Sequence, residues 1–224
     1  MRAVFACLFA LVLAPAANAA TRASAFGLCE QAAVRAETAR GLPGGLLPAL
    51  ARVESGRPDA AGIVRPWPWT IDVEGQGRFF ASKEEAVAAV RVLQAAGVKS
   101  IDVGCLQVNL MHHPSAFASL EAAFDPAANA LYAARFLSAL HARDDDWTHA
   151  IAAYHSETEQ LGSAYRARVL ALWHPGGESG DIRAPADPRR AAYADFLPRS
   201  ARYAAFAGCK CVSAPGQRSA CRCD

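Results

Sequence analysis

Leu46, Leu47 and Leu50 run into Arg52-Val53-Glu54-Ser55-Gly56, a stretch that dictates one apolar helix ending on a single acid. Leu46, Leu50 and Glu54 are spaced i, i+4, i+8, so the glutamate lies on the face the leucines bury. A carboxylate in apolar surroundings resists ionising, and its pKa rises. A glutamate still protonated near neutral pH can donate a proton, the starting condition for general-acid catalysis. Gly56 and Pro58 stop the helix directly after the acid. Glu54 is therefore expected where a helix opens into a loop, a usual place for a cleft. The plainer reading is a helix-terminal glutamate paired at the surface with Arg52 or Arg57, and other segments have to decide between the two.

The N-terminus reads as a targeting segment. Arg2 supplies a positive start, Val4 to Leu13 is apolar but too short to span a bilayer, and Ala17-Asn18-Ala19 is a small-x-small cleavage site. Residues 1–19 are expected to be a signal peptide cleaved after Ala19, which makes the mature protein periplasmic or secreted. Cys7 lies inside the apolar segment, too near the start for a lipoprotein cysteine. No other stretch reaches membrane-spanning length, so no span is expected in the mature chain.

Removing Cys7 leaves six of the 7 cysteines: Cys29, Cys105, Cys209, Cys211, Cys221 and Cys223. An even number in an exported chain suggests disulfides, and sequence alone does not choose the pairing. Cys209-Lys210-Cys211 and Cys221-Arg222-Cys223 fit a small nested clip. Zinc is the competing reading, and an oxidising compartment favours disulfides. Cys29 and Cys105 are then left to each other. The net charge of +2 gives no footprint for nucleic acid. The basic excess lies in the tail, where residues 183–224 carry eight Lys/Arg against three Asp. That tail reads as a solvated linker, or as a segment holding anionic wall polymer or a partner protein.

The body, from Ser24 to Trp173, is mostly helical. A first helix covers Ser24 to Arg40, with Phe26, Cys29, Ala33 and Ala36 on one face and Gly41 ending it. The Glu54 helix begins near Gly45, which leaves Pro48 in the tolerated first turn. Pro66-Trp67-Pro68-Trp69 cannot be helical. Thr70-Ile71-Asp72-Val73 alternates like a strand, Glu74-Gly75-Gln76-Gly77 reads as a turn and Arg78-Phe79-Phe80 as a returning strand. Ser82 with Glu85 forms a capping box for a helix that buries Ala86, Val87, Val90, Leu93 and Ala96, and Gly97 closes it. Three more helices follow Leu110. Asp125-Pro126 starts the first, with Ala130, Ala134, Leu137 and Leu140 as its stripe. Asp146 caps the second, which carries Ile151 and Tyr154. Leu161, Tyr165, Val169 and Leu172 mark the third. From residue 175 onward the chain is rich in Pro, Gly and Arg and its periodicity is weak.

Two further segments carry polar chemistry. In Ser100-Ile101-Asp102-Val103-Gly104-Cys105-Leu106-Gln107-Val108-Asn109, Gly104 permits close backbone approach. Gln107 and Asn109 place amides beside apolar neighbours, which suits sugar hydroxyls or acetamides. In Ala152-Ala153-Tyr154-His155-Ser156, a tyrosine on an alanine-rich helix offers a ring and a hydroxyl. Each also has a plain structural reading, a buried strand and a core tyrosine. The histidines show no helical ligand spacing, so no metal and no cofactor are expected.

Taken together the three segments resemble the soluble-type lytic transglycosylases of glycoside hydrolase family 23. Those enzymes carry Glu-Ser at a helix end, then Gly-Leu-Met-Gln, then Ala-Tyr-Asn. Here Glu54-Ser55, Gly104-Cys105-Leu106-Gln107 and Ala153-Tyr154-His155 stand in the same order. The Asp125-Pro126 helix with Asn129 is similar to the family's helix after the glutamine motif. The resemblance covers Cys29 to Trp173. It implies a mainly α, α+β lysozyme-like fold over residues 20–174, with a small hairpin near the cleft and the irregular cysteine-bearing tail, 175–224, beyond it. This chain departs from the pattern in three places. Cys105 replaces an apolar residue, His155 replaces the asparagine, and the Trp67–Trp69 hairpin with the Ser82–Gly97 helix looks like an insertion on the cleft side.

The resemblance implies cleavage of the β-1,4 bond between N-acetylmuramic acid and N-acetylglucosamine in peptidoglycan, with a 1,6-anhydro-muramyl product. Glu54 would act as acid and then as base. Ser55, Gln107, Asn109, Tyr154 and His155 would bind or orient the substrate, with Tyr154 orienting Glu54 or the acetamide. The partner is then the peptidoglycan glycan strand, with a secretion or flagellar machine as a further candidate. Asp72, Glu74 and Asp102 are candidates for a second carboxylate, against the plain reading of solvated acids. Trp67, Trp69 and Phe79 either stack on sugars or cover the core. Two alternatives stay open: a hydrolytic lysozyme or chitinase, and a catalytically silent glycan-binding or secretion-scaffold protein.

Overall fold

The leucine-rich helix forms as its spacing predicts, over Leu46–Ser55 (α2), and it has almost no wet side. Leu46, Leu47, Ala49, Leu50 and Ala51 are fully buried, and Ser55 and Arg52 are buried with them. Its start depends on a neighbour. Gly45 precedes it with φ +80 and has no side chain to cap the first turn. The carboxylate of Glu37 does so instead, accepting from the Gly45 and Leu47 backbone N–H groups at 2.8 and 2.9 Å. Glu37 sits on α1 (Leu28–Arg40), which Gly41 ends in the left-handed conformation. The computed structural model describes residues 25–174 and two short strands, 210–212 and 220–222.

Three later helices complete the wrap around α2. They are α5 (Pro126–His141), α6 (Trp147–His155) and α7 (Glu159–Leu170), with Asp125 and Asp146 capping the first two through their side chains. The stripe Ala130, Ala134, Leu137 and Leu140 is buried as the periodicity predicts. The last helix differs. Leu161 is 56% exposed, and the buried face is Gly162, Tyr165 and Val169. Gly162 packs so closely on the end of α6 that a Cβ there would lie 2.7 Å from the Ser156 carbonyl, which turns Leu161 to the flank.

A second, smaller core lies under a four-stranded antiparallel sheet. The strands are β3 (Thr70–Val73), β4 (Gln76–Phe79), β5 (Asp102–Val103) and β6 (Val108–Asn109), ordered β4-β3-β5-β6. Ile71, Val73, Ile101 and Val103 pack with Ala86, Val87 and Val90 of α3 (Lys83–Ala95). Ser82 accepts from the Glu85 N–H, and Glu85 reaches back to the Ala81 N–H. The hairpin turn is tighter than the sequence suggests. Only Glu74 and Gly75 turn, both at positive φ (55 and 76), and Gln76 already pairs with Val73. Sequence reasoning also passed over β1 (Gly56–Pro58), β2 (Val64–Pro66) and the short α4 (Leu120–Ala123). The prolines of β1 and β2 sit at strand ends, where a missing N–H is tolerated.

The result is the mainly α, lysozyme-like α+β class, with seven helices among the described residues. Trp67 is fully buried, its indole donating to the Phe80 carbonyl at 2.8 Å, with Phe26 and Trp69 edge-on to it. Trp67 therefore covers core. The tail strands β7 (Lys210–Val212) and β8 (Ala220–Arg222) pair antiparallel with Cys211 opposite Cys221. The pairing of the tail cysteines, the segment 1–19 and the rest of 175–224 lie outside the described residues. Among those residues no helix is long and apolar enough to cross a membrane.

Cys29 and Cys105 form a disulfide that ties α1 to the loop between β5 and β6, with Cα atoms 5.5 Å apart and 76 residues between them in sequence. Closing a loop of that length restricts the unfolded chain by roughly 4 kcal/mol in the chain-entropy account. Replacing both cysteines by alanine is expected to lower the unfolding free energy by about 2–4 kcal/mol. Urea denaturation under oxidising conditions checks this, and an unchanged midpoint would contradict the stabilising role.

Candidate active site

The loop from Gly104 to Gln107 is fastened from every side. Gly104 has φ +81, and a Cβ there would meet the Asn129 side-chain nitrogen at 2.5 Å, so only glycine fits. Asn129, fully buried on α5, accepts from the Leu106 N–H and donates to the Val103 and Ala123 carbonyls. Ser55 donates to the Cys105 carbonyl at 2.7 Å. Tyr154 donates to the Leu106 carbonyl, also at 2.7 Å. Gln107 stands in the left-handed region, φ 44, a conformation uncommon for a residue with a Cβ. Its side-chain amide donates to the Gly104 and Thr70 carbonyls at 2.7 and 3.2 Å, which fixes the turn and leaves Oε1 as the acceptor with no hydrogen bond among the described residues.

Glu54 ends α2 at the seam between the helical core and the sheet, and it lines a cleft of about 1170 Å³. The residue that follows the helix, Gly56, has no room for a side chain, because a Cβ there would lie 2.2 Å from the Arg52 carbonyl oxygen. Burial pushes the Glu54 carboxyl up to about 7. The Tyr165 hydroxyl opposes that shift by donating to Oε1 at 2.5 Å. Asp102 and Asp72 push the pKa up further, and Arg168 pulls it down. A group poised there is part acid and part carboxylate near neutral pH, which lets one side chain give and take a proton in turn.

Cross-strand pairing puts Asp72 opposite Asp102, and both line the cleft. Burial raises the Asp102 pKa, and the Asp72 charge adds to that while a hydrogen bond from Asn109 opposes it. Glu74 is exposed at the hairpin tip and outside the cleft lining. Gln107, Asn109, Tyr154 and His155 all line the cleft with Glu54. Asn109 spends its amide internally, donating to Ser100 and Asp102 and accepting from the Met111 and His112 N–H groups.

Two expectations need correction, and one open alternative is decided. Ser55 is 1% exposed, lies outside the cleft lining and points at the Cys105 carbonyl, so it braces the loop and meets no substrate. Tyr154 bonds the Leu106 carbonyl, so the phenol that holds Glu54 is Tyr165. Of the aromatic trio, Phe79 lines the cleft while Trp67 and Trp69 do not. In the sequence, Tyr165 stands out only as part of the stripe Leu161, Tyr165, Val169 and Leu172. Its signal was available, since a buried tyrosine hydroxyl needs a partner, but nothing local named one 111 positions away. Among the described residues no group of three or more His, Cys, Asp or Glu could hold a metal ion.

An acid whose pKa burial lifts to about 7, opening into a cleft with an amide acceptor left over, is equipment for breaking a glycosidic bond, on a lysozyme-like frame. The Transglycosylase SLT domain family model matches residues 31–168, more than half of the 224, and the chain belongs to that family. It is accordingly a lytic transglycosylase acting on peptidoglycan. Comparison with curated proteins and with solved structures found no match.

The Glu54–Tyr165 bond sets the expected pH profile. If Glu54 is the acid, it must be protonated to act, and activity is then expected to fall as pH rises through about 7. Tyr165 favours the ionised form, so Tyr165→Phe should move that alkaline limb to higher pH while lowering kcat by about tenfold. Initial rates across a pH series test this, and a limb that stays in place or moves down would separate Tyr165 from Glu54 function.

Proposed function

We propose that this protein is an exported enzyme that cuts the N-acetylmuramic acid–N-acetylglucosamine β-1,4 bond and releases a 1,6-anhydro-muramyl end, with Glu54 serving both proton transfers. The observation that carries this reading is the Glu54 carboxyl at the cleft, held by Tyr165, with its pKa pushed up to about 7 by desolvation. Glu54 gives its proton to the glycosidic oxygen as that bond to the muramyl anomeric carbon breaks. The glucosamine unit leaves with the proton as a free hydroxyl. The Glu54 carboxylate then takes the proton of the muramyl C6 hydroxyl while its oxygen bonds the anomeric carbon. Atoms balance with no water consumed, and Glu54 ends as it began. The nucleophile belongs to the substrate and arrives already positioned, which is why one carboxyl suffices. The Gln107 Oε1 acceptor suits a sugar hydroxyl or acetamide N–H. Export is supported by the signal-like N-terminus and by the Cys29–Cys105 disulfide.

A second reading has its own observation. Asp72 and Asp102 lie side by side in the same cleft, and a carboxylate there could take a proton from water attacking the anomeric carbon. That would give hydrolysis, with a reducing muramyl end. Mass spectrometry of digested peptidoglycan tells the two apart, because the anhydro product is lighter by one water. The anhydro form is expected from the wild type, and Glu54→Gln is expected to lower the rate at least about a hundredfold. Reducing ends alone would favour the hydrolytic reading. Unchanged activity of Glu54→Gln would remove Glu54 as the acid.

A further inference from the structure

The two walls of the cleft differ in charge. The sheet side carries Asp72 and Asp102, and the helical side carries Arg143, His155 and Arg168. Arg143 is engaged, its guanidinium 2.6 Å from the Glu157 carboxylate. Arg168 has no carboxylate within ion-pair distance among the described residues. It sits one turn beyond Tyr165 on α7, with its guanidinium 5.5 Å from the Tyr165 ring centroid. The His155 ring stacks on that same tyrosine at 4.7 Å, nearly parallel (6°). The Tyr165 hydroxyl bonds Glu54, so a single side chain links the cation to Glu54.

Peptidoglycan alternates a neutral sugar with one that carries carboxylate. N-acetylglucosamine has no ionised group. The muramyl unit has a lactyl ether on C3, which ends in a carboxylate when bare and leads to the carboxylates of the peptide stem when substituted. Both sugars have an anomeric carbon and a C6 hydroxyl, so releasing a 1,6-anhydro-muramyl end requires the muramyl unit, not the glucosamine, to be the one seated over Glu54. A groove that reads only N-acetyl groups would accept either register. We infer that Arg168, with His155 packed beside it on Tyr165, forms an anion subsite that takes the carboxylate of the muramyl unit and so sets the register of the strand over Glu54. This rests on the transglycosylase reading. A guanidinium matches a carboxylate in geometry and keeps its charge at every working pH.

Arg168 also influences Glu54 directly, so the test is done on binding in a Glu54→Gln background, where no catalytic proton is involved. Calorimetry compares three probes: glycan strands stripped of peptide, strands bearing stems, and chitohexaose, which has no carboxylate. Adding Arg168→Gln is expected to raise Kd for carboxylate-bearing strands by about tenfold relative to chitohexaose, the scale of one charge-assisted hydrogen bond. Loss confined to stripped strands identifies the lactyl carboxylate as the ligand, and loss confined to stem-bearing strands identifies the peptide. Arg168→Lys, which keeps the charge, should recover part of the preference. Arg166→Gln, on the same helix and outside the cleft lining, is the control for helix damage. Equal Kd changes on all three probes, or none, overturn the subsite. Arg168-dependent binding in a protein whose wild type cleaves nothing would sink the catalytic reading and leave the subsite standing. Failure of the Glu54→Gln protein to bind any muramyl strand would overturn both.

Discussion

Burying α2 on nearly every side forces much of what surrounds it. A helix with five fully buried apolar residues needs partners around its whole circumference, and α1, α5, α6 and α7 supply them. The last residue pair of the helix, Glu54-Ser55, inherits that burial. Ser55 can satisfy its hydroxyl on a backbone carbonyl, but the Glu54 carboxyl cannot be ionised there without loss of hydration. The same packing that stabilises the helical core thus raises the acid into a useful range, and fold and chemistry share one cause.

The groups that face the cleft then depend on fasteners behind them. Asn129, Ser55, Tyr154 and the Cys29–Cys105 disulfide all act on a loop of four residues, and that loop holds Gln107 in a conformation it would rarely adopt alone. Rigid support of this kind holds an amide at one place in the cleft, where a free loop would sample many. The hydrogen bond from Tyr165 does the same for Glu54, and the stacked His155 and neighbouring Arg168 extend that cluster along the helical wall.

The segment from Ile63 to Gly97 turns out to be a structural unit as well as a cleft wall. Its hairpin and α3 close the second core, and Trp67 anchors the hairpin's base against Phe26. The price of that added wall is two more acids near Glu54, because pairing β3 with β5 sets Asp72 directly beside Asp102. Burial raises the pKa of both Glu54 and Asp102, and the Asp72 charge adds to each.

Much of this was legible in the chain. The i, i+4, i+8 run placed Glu54 at the buried end of a helix, and the Asp125-Pro126 and Asp146 caps and the Ser82–Glu85 box fixed three helix starts. The alternation of Thr70–Val73 located the hairpin strand, although its tight turn and the short strand Gly56–Pro58 gave too few residues to register as a pattern. The two cysteines of the body, Cys29 and Cys105, pair with each other as expected. These are local signals, carried by periodicity and by backbone groups within a few residues. Only the tertiary structure decided which tyrosine holds Glu54, which acids face it, that Glu37 starts α2, and that Arg168 lies over the Tyr165 ring in the same cleft. Those contacts join residues far apart in sequence, and no spacing along the chain encodes which buried hydroxyl or carboxyl will meet which partner once the helices pack.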